Sequence, residues 1–192
     1  MNSIFFTSRR RLLGLAAAAA LPAFATARAE EKSAAWPVIL TIGGLIDAPN
    51  RKPFNATRDR FFNHNNLDFQ KARAFTAGEL AAFPQQSARA DLFGTEALVR
   101  GPRLSDVLAA AIPSAGAKTA RLSALDGYAA EIALADVQSQ QWILAMESDG
   151  QPFGIGDLGP LFALRQLPPG EKKTEEEANK WVYALYYIEI VP

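Results

Sequence analysis

Beyond residue 35, glycine and proline cut this chain into runs too short for long helices. Trp36 to Ile42 is β-branched and aromatic and stops at Gly43-Gly44, which predicts a strand ending in a turn. Thr76 to Phe83 has the pattern of a short helix, with Thr76 as N-cap, Glu79 as its capping-box partner and Pro84 as terminator. A strand around Ala97 to Val99 precedes Gly101-Pro102. Leu104, Val107, Leu108 and Ala111 then recur at helical spacing before Pro113. Strands follow at Ala120 to Leu125 and Tyr128 to Leu134, joined by Asp126-Gly127, and at Trp142 to Met146. Ser148 to Pro152 reads as a polar turn, Leu161 to Leu164 as a strand, and Trp181 to Val191 as the closing strand. Strands outnumber helices and the helices are short, so the expected class is α+β, with a mixed, partly barrel-like sheet and short peripheral helices.

The segment Asp47 to Gln70 is rich in Asn and Pro and so reads as irregular. It also carries Phe54, Phe61, Phe62, Leu67 and Phe69, too aromatic for a solvated linker. Such a loop is expected to pack on the body, to shape a cleft or to serve as a contact surface. The acidic and lysine-rich run Glu171 to Lys180 reads as a solvated loop or short helix, with Glu175, Glu176 and Glu177 facing water.

The first residues carry a different signal. Ser8-Arg9-Arg10-Arg11-Leu12-Leu13 leads into an apolar, alanine-dominated stretch from Leu12 to Ala25. A permanent membrane helix needs about twenty apolar residues, which this stretch does not supply. It suits a signal h-region, and Ala27-Arg28-Ala29 supplies a cleavage site. The expected organisation is a twin-arginine-type signal peptide over residues 1–29, a single domain over 30–192 and a periplasmic location, with no membrane span in the mature form. Removing the leader takes away Arg9, Arg10, Arg11 and Arg28, leaving sixteen basic against twenty acidic residues. A mildly acidic domain lacks the dense cationic surface that holds nucleic acid, so nucleic acid is not an expected partner.

The chain contains no cysteine and a single histidine, His64. Disulfides, thiolate ligands and thiol nucleophiles are therefore excluded. So is the haem-attachment motif Cys-x-x-Cys-His, and any electrons would pass to a separate protein. A zinc site or a Ser-His-Asp triad would rest on His64 alone, and its setting in Phe61-Phe62-Asn63-His64-Asn65-Asn66 reads as surface or packing. No metal ligands and no catalytic residues are assigned.

Several segments, in order, resemble the oxidoreductase molybdopterin-binding domain family, which has the sulfite oxidase fold. They are Leu40 to Ile46, Phe75 to Gln85 ending in Phe-Pro, and Arg100-Gly101-Pro102-Arg103-Leu104-Ser105-Asp106-Val107-Leu108. Ala124 to Val137 with its Asp-Gly-Tyr, Ile143 to Pro152, Gly159-Pro160-Leu161 and the final strand complete the series. The resemblance implies a cleft that holds a pterin-bound molybdenum centre for oxygen-atom transfer, with the protein supplying orientation and electrostatics. In catalytic members a cysteine ligates molybdenum in the stretch before the Gly-x-x-Leu-x-Asp helix. Here that stretch is Gln86-Ser87-Ala88-Arg89-Ala90-Asp91-Leu92-Phe93, and Ser87 and Asp91 offer only oxygen. Standard cysteine-ligated molybdenum is thus not expected. Whether any cofactor is bound stays open, molybdopterin being the one the resemblance implies.

Six residues are candidates for cofactor or ligand binding. Arg100 and Arg103 flank a helix entrance, where cations oppose the helix dipole, and an anion would account for them as solvent exposure does. Asp126 is either a ligand-orienting carboxylate or the aspartate of an Asp-Gly turn, and Tyr128 either presents its hydroxyl to a cleft or packs in the core. Gly156 and Gly159, with Gly154 and Pro160, either let backbone approach a ligand or form an ordinary connection. The leading functional expectation is an exported sulfite-oxidase-fold domain that binds a small anionic ligand, a pterin or a protein partner of the periplasm or membrane. The alternatives are a molybdopterin-dependent oxidoreductase without cysteine ligation and a structural accessory of an envelope redox or sensor complex.

Overall fold

Eleven strands and five short helices make up the described part of the chain, residues 37–168 and 170–192 of a computed structural model. The expected signal peptide, residues 1–29, lies outside the described residues. In chain order the elements are β1 (Val38–Gly44), α1 (Arg60–His64), β2 (Ala72–Thr76), α2 (Ala77–Ala81), β3 (Gln85–Leu92), β4 (Thr95–Pro102) and α3 (Leu104–Ala111). They continue as β5 (Thr119–Ala124), β6 (Ala129–Ala133), α4 (Leu134–Ser139), β7 (Trp142–Ala145), β8 (Glu147–Ser148), β9 (Gln151–Pro152), β10 (Phe162–Arg165), α5 (Glu175–Ala178) and β11 (Leu185–Val191). Among the described residues no helix is long and apolar enough to cross a membrane.

The strands form three sheets. A five-stranded sheet runs β2-β1-β11-β5-β6, with β1 parallel to β11 and every other pairing antiparallel. A four-stranded sheet runs β3-β4-β8-β9, and β7 pairs with β10. The expected α+β class with a mixed sheet holds, and the barrel-like tendency stops short of a closed barrel. Leu40, Ile42, Leu104, Leu122, Ile143 and Ile188 meet in one core between these layers.

Local chemistry explains most of these elements. The Thr76 hydroxyl accepts the Glu79 backbone N–H while the Glu79 carboxylate accepts the Thr76 N–H, the reciprocal capping box that starts α2. Leu104, Val107, Leu108 and Ala111 all bury one face of α3. On β3 the side chains alternate, with Ser87, Arg89 and Asp91 outward and Ala88, Ala90 and Leu92 inward. The aromatic loop does pack on the body: Phe54, Phe62 and Phe69 join Tyr186 and Tyr187 in a second cluster, while Phe61 and His64 stay exposed.

The buried phenol in that cluster has a measurable consequence. Burial first, then the nearby carboxylates of Glu189 and Asp68, push the Tyr187 hydroxyl above its ordinary value, against a smaller opposing effect of Arg51. Above about pH 10 an unfolded tyrosine loses a proton that folded Tyr187 retains, so stability falls as pH rises through that window. In urea titrations from pH 9 to 11, Tyr187→Phe is expected to show a shallower alkaline decline than the unsubstituted protein. Equal slopes would show that Tyr187 does not carry the effect.

Candidate functional site

The β3–β4 hairpin turns on two residues, Phe93 and Gly94, with φ of +54° and +90°. Positive φ at both central positions is the geometry that matches the twist of paired strands, and glycine or asparagine normally supplies it. A phenylalanine there is strained by its Cβ. It is also 71 % exposed, with its ring edge-on to Tyr183 at 5.7 Å. Asp91 steadies the turn by accepting the Gly94 N–H at 2.6 Å.

Opposite this hairpin lies the β5–β6 turn. Asp126 Oδ1 accepts the Tyr128 N–H at 2.9 Å and Oδ2 accepts the Tyr183 hydroxyl at 2.9 Å. That bond, together with the charge of Asp126, raises the Tyr183 hydroxyl above its ordinary value. The Tyr128 hydroxyl donates to the Asn179 carbonyl at 2.7 Å. Between the hairpin, this turn and the segment leading into β11 is a cleft of about 280 Å³, whose walls include Asp91, Phe93, Asp126, Tyr128, Trp181 and Tyr183. Of the six candidates, Asp126 and Tyr128 line this cleft, together with Asp91 from the stretch where the resemblance places a metal-ligating cysteine.

The other four candidates lie elsewhere. Arg100 pairs with Glu147 at 3.5 Å across β4 and β8, and Arg103 sits exposed at the start of α3. Gly156 has a φ of +95° in an open loop. A Cβ at Gly159 would fall 2.6 Å from the Gly154 carbonyl oxygen, so this glycine serves the tight packing of its own loop. None of the four lines the cleft. A larger groove, about 760 Å³, runs between α3 and α4. Its walls are mainly alkyl, from Leu108, Ile112, Leu134 and Val137, and it contains none of the six candidates.

One expectation about the acidic run needs correcting. Glu175 and Glu176 are exposed, but the Glu177 side chain is only 12 % exposed. Its Oε1 accepts Arg165 Nε at 2.8 Å and Trp181 Nε1 at 3.1 Å. Arg165 also donates to Glu171 at 2.7 Å. The bonds to Glu177 and then Glu171 hold the guanidinium pKa above its ordinary value although burial opposes this. The network fixes the indole plane of Trp181 at the cleft wall, a role that Glu-Glu-Glu in a charged run does not reveal.

No family model and no curated protein matches the chain. Among solved structures, the chain is similar to the sulfane dehydrogenase SoxCD from Paracoccus pantotrophus, with a TM-score of 0.52 and 18 % identity. The fold is sulfite-oxidase-like. The match covers 79 % of this chain but 37 % of the SoxCD chain, so this chain spans little more than a third of that protein's length.

A pterin-bound molybdenum centre does not fit the residues in the cleft. The chain has no thiol, and among the described residues no three His, Asp or Glu side chains gather as a metal site. The carboxylates of Asp91 and Asp126 already accept bonds within the protein. Among the described residues Lys173 is the one cation on the cleft walls and is itself engaged by Asp91, so the described walls lack the convergent Arg and Lys donors that a pterin phosphate requires.

Proposed function

We propose that this chain is an exported, periplasmic protein of sulfite-oxidase-like fold that binds a small organic ligand in the cleft between Phe93, Tyr128 and Trp181, without molybdenum chemistry. The observation that carries this reading is Phe93, a large aromatic held exposed and strained at the lip of a cleft that has no thiolate. Strain of this kind persists where the surrounding structure over-determines it, and it clusters at ligand clamps. The cleft is at the small end for ligand sites and is lined by aromatics with a few polar groups, the usual composition of such a site. The leader-like residues 1–29 support export, and the mature chain is then expected to start near Glu30.

Purification from the native periplasm tests the reading. Mass spectrometry is expected to give a chain starting near Glu30, and metal analysis and pterin fluorescence are expected to show neither group. Backbone amide spectra recorded with a library of small organic fragments are expected to shift around Phe93, Tyr128 and Trp181. Stoichiometric molybdenum, or fragments that bind only elsewhere, would overturn it.

A further inference from the structure

We infer that the cleft recognises an organic ammonium group, and that Lys173 occupies the ammonium position in the free protein. The inference rests on the ligand-binding reading and names the class of ligand. Lys173 Nζ stands 4.7 Å above the Trp181 ring, donates to the Asp91 carbonyl oxygen at 2.8 Å and lies 3.7 Å from Asp91 Oδ2. Its side chain is 22 % exposed, so a residue that ordinarily extends into water is folded back onto an aromatic face. A cation over an indole with a carboxylate at its flank is the arrangement by which proteins bind ammonium ligands.

The remaining walls suit the same group. Asp126 supplies a second carboxylate. Phe162 stands edge-on to both Trp181 and Tyr183, at 6.0 and 6.4 Å, so the rings present fixed faces and edges to the cleft. Trp181 is held in plane by Glu177 and Arg165 and needs no reorganisation when a ligand arrives. If Lys173 swings out, two carboxylates and several aromatic rings remain, with no other cation among the described wall residues. An anion entering that space meets like charge, and an ammonium meets its complement. Lys173 therefore acts as an intramolecular competitor, weakening the affinity for a free ammonium by the fraction of time it occupies the position.

The test uses the mature protein, with n-butylammonium chloride as a probe that copies the end of a lysine side chain. Pentan-1-ol serves as the neutral probe, and inorganic phosphate and butyrate as anions. Binding is read from Trp fluorescence and from the amide signals of Phe93, Trp181 and Tyr183. Lys173→Met keeps the alkyl stem and removes the charge, and is expected to bind n-butylammonium at least tenfold more tightly than the unsubstituted protein. Adding Asp91→Asn, which keeps an acceptor for the Gly94 N–H, is expected to reverse most of that gain while the melting temperature shows the fold intact. The inference is overturned if Lys173→Met binds n-butylammonium no more tightly than the parent, or if pentan-1-ol matches it. Binding of alcohol or anion at these residues without ammonium binding would sink the ammonium class and leave the ligand-binding reading standing. No binding by any probe in either protein would count against both.

Discussion

Gly101→Ala is expected to lower stability by about 3 kcal/mol or more, a large share of the whole stability of an ordinary domain. Gly101 is buried in β4 where that strand crosses β7, and the Met146 N–H donates to the Arg100 carbonyl at 2.8 Å beside the crossing. A Cβ built there would lie 2.0 Å from the Leu144 carbonyl oxygen, 2.7 Å from the Leu144 carbonyl carbon and 2.8 Å from Ala145 Cα. All three atoms are backbone of a fully buried strand, so none can yield as the tip of a flexible side chain would. Relief requires moving β7, together with its partner β10, away from β4, which opens the junction between the four-stranded sheet and the β7–β10 pair. Gly154→Ala is the control, since nothing lies within 4 Å of its added methyl and its φ is not left-handed. Urea titration of the two variants checks the claim. A Gly101→Ala protein within about 1 kcal/mol of the control would mean that β4 and β7 do not approach so closely.

Glu177→Ala is the second large effect, at about 2–4 kcal/mol of stability. The substitution takes one of two carboxylate partners seen among the described residues, Glu177 and Glu171, from the Arg165 guanidinium, only 16 % exposed, and removes the acceptor of the Trp181 indole N–H. A half-buried charge that loses its hydrogen-bonded partner costs more than the pair contributed when intact, because the desolvation is already complete. Glu177→Gln keeps an oxygen acceptor and is expected to fall between parent and alanine variant. Arg165→Met removes the other half of the pair. In a double-mutant cycle with Glu177→Ala, the two losses are expected to fall short of additivity by about 1–3 kcal/mol. Additive losses would show that the two residues are not coupled. Trp181 emission is expected to shift in Glu177→Ala as its indole gains freedom at the cleft wall.

How much of this was legible in advance depended on how local the cause was. The capping box at Thr76 and Glu79 was readable because both partners lie within one helical turn. The apolar stripe of α3 was readable because Leu and Val recur at helical spacing. β3 was not identified as a strand, because its inward positions before Leu92 are alanines, Ala88 and Ala90, whose contrast with the outward residues is weak. α4 was hidden in the same way, as a single turn or so in which Val137 is the one buried side chain.

The site divides along the same line. Asp126 and Tyr128 share the cleft wall because a turn sets them beside one another in the chain. Lys173, Glu177 and Trp181 belong to a run that reads as charge in water, and no spacing within it shows that Asp91, 82 residues away from Lys173, lies across the cleft. Arg100 and Arg103 carried an anion-binding expectation from charge at a helix entrance. The pairing of β4 with β8 instead gives Arg100 a carboxylate partner, and both arginines stand outside the cleft. By itself the sequence determined the α+β class and the absence of any thiol for a metal, since each follows from composition or from neighbours within a few residues. Which groups meet in the cleft, and whether each charge there is free or already paired, was decided only by tertiary structure, because those pairings join strands and loops that the chain sequence leaves far apart.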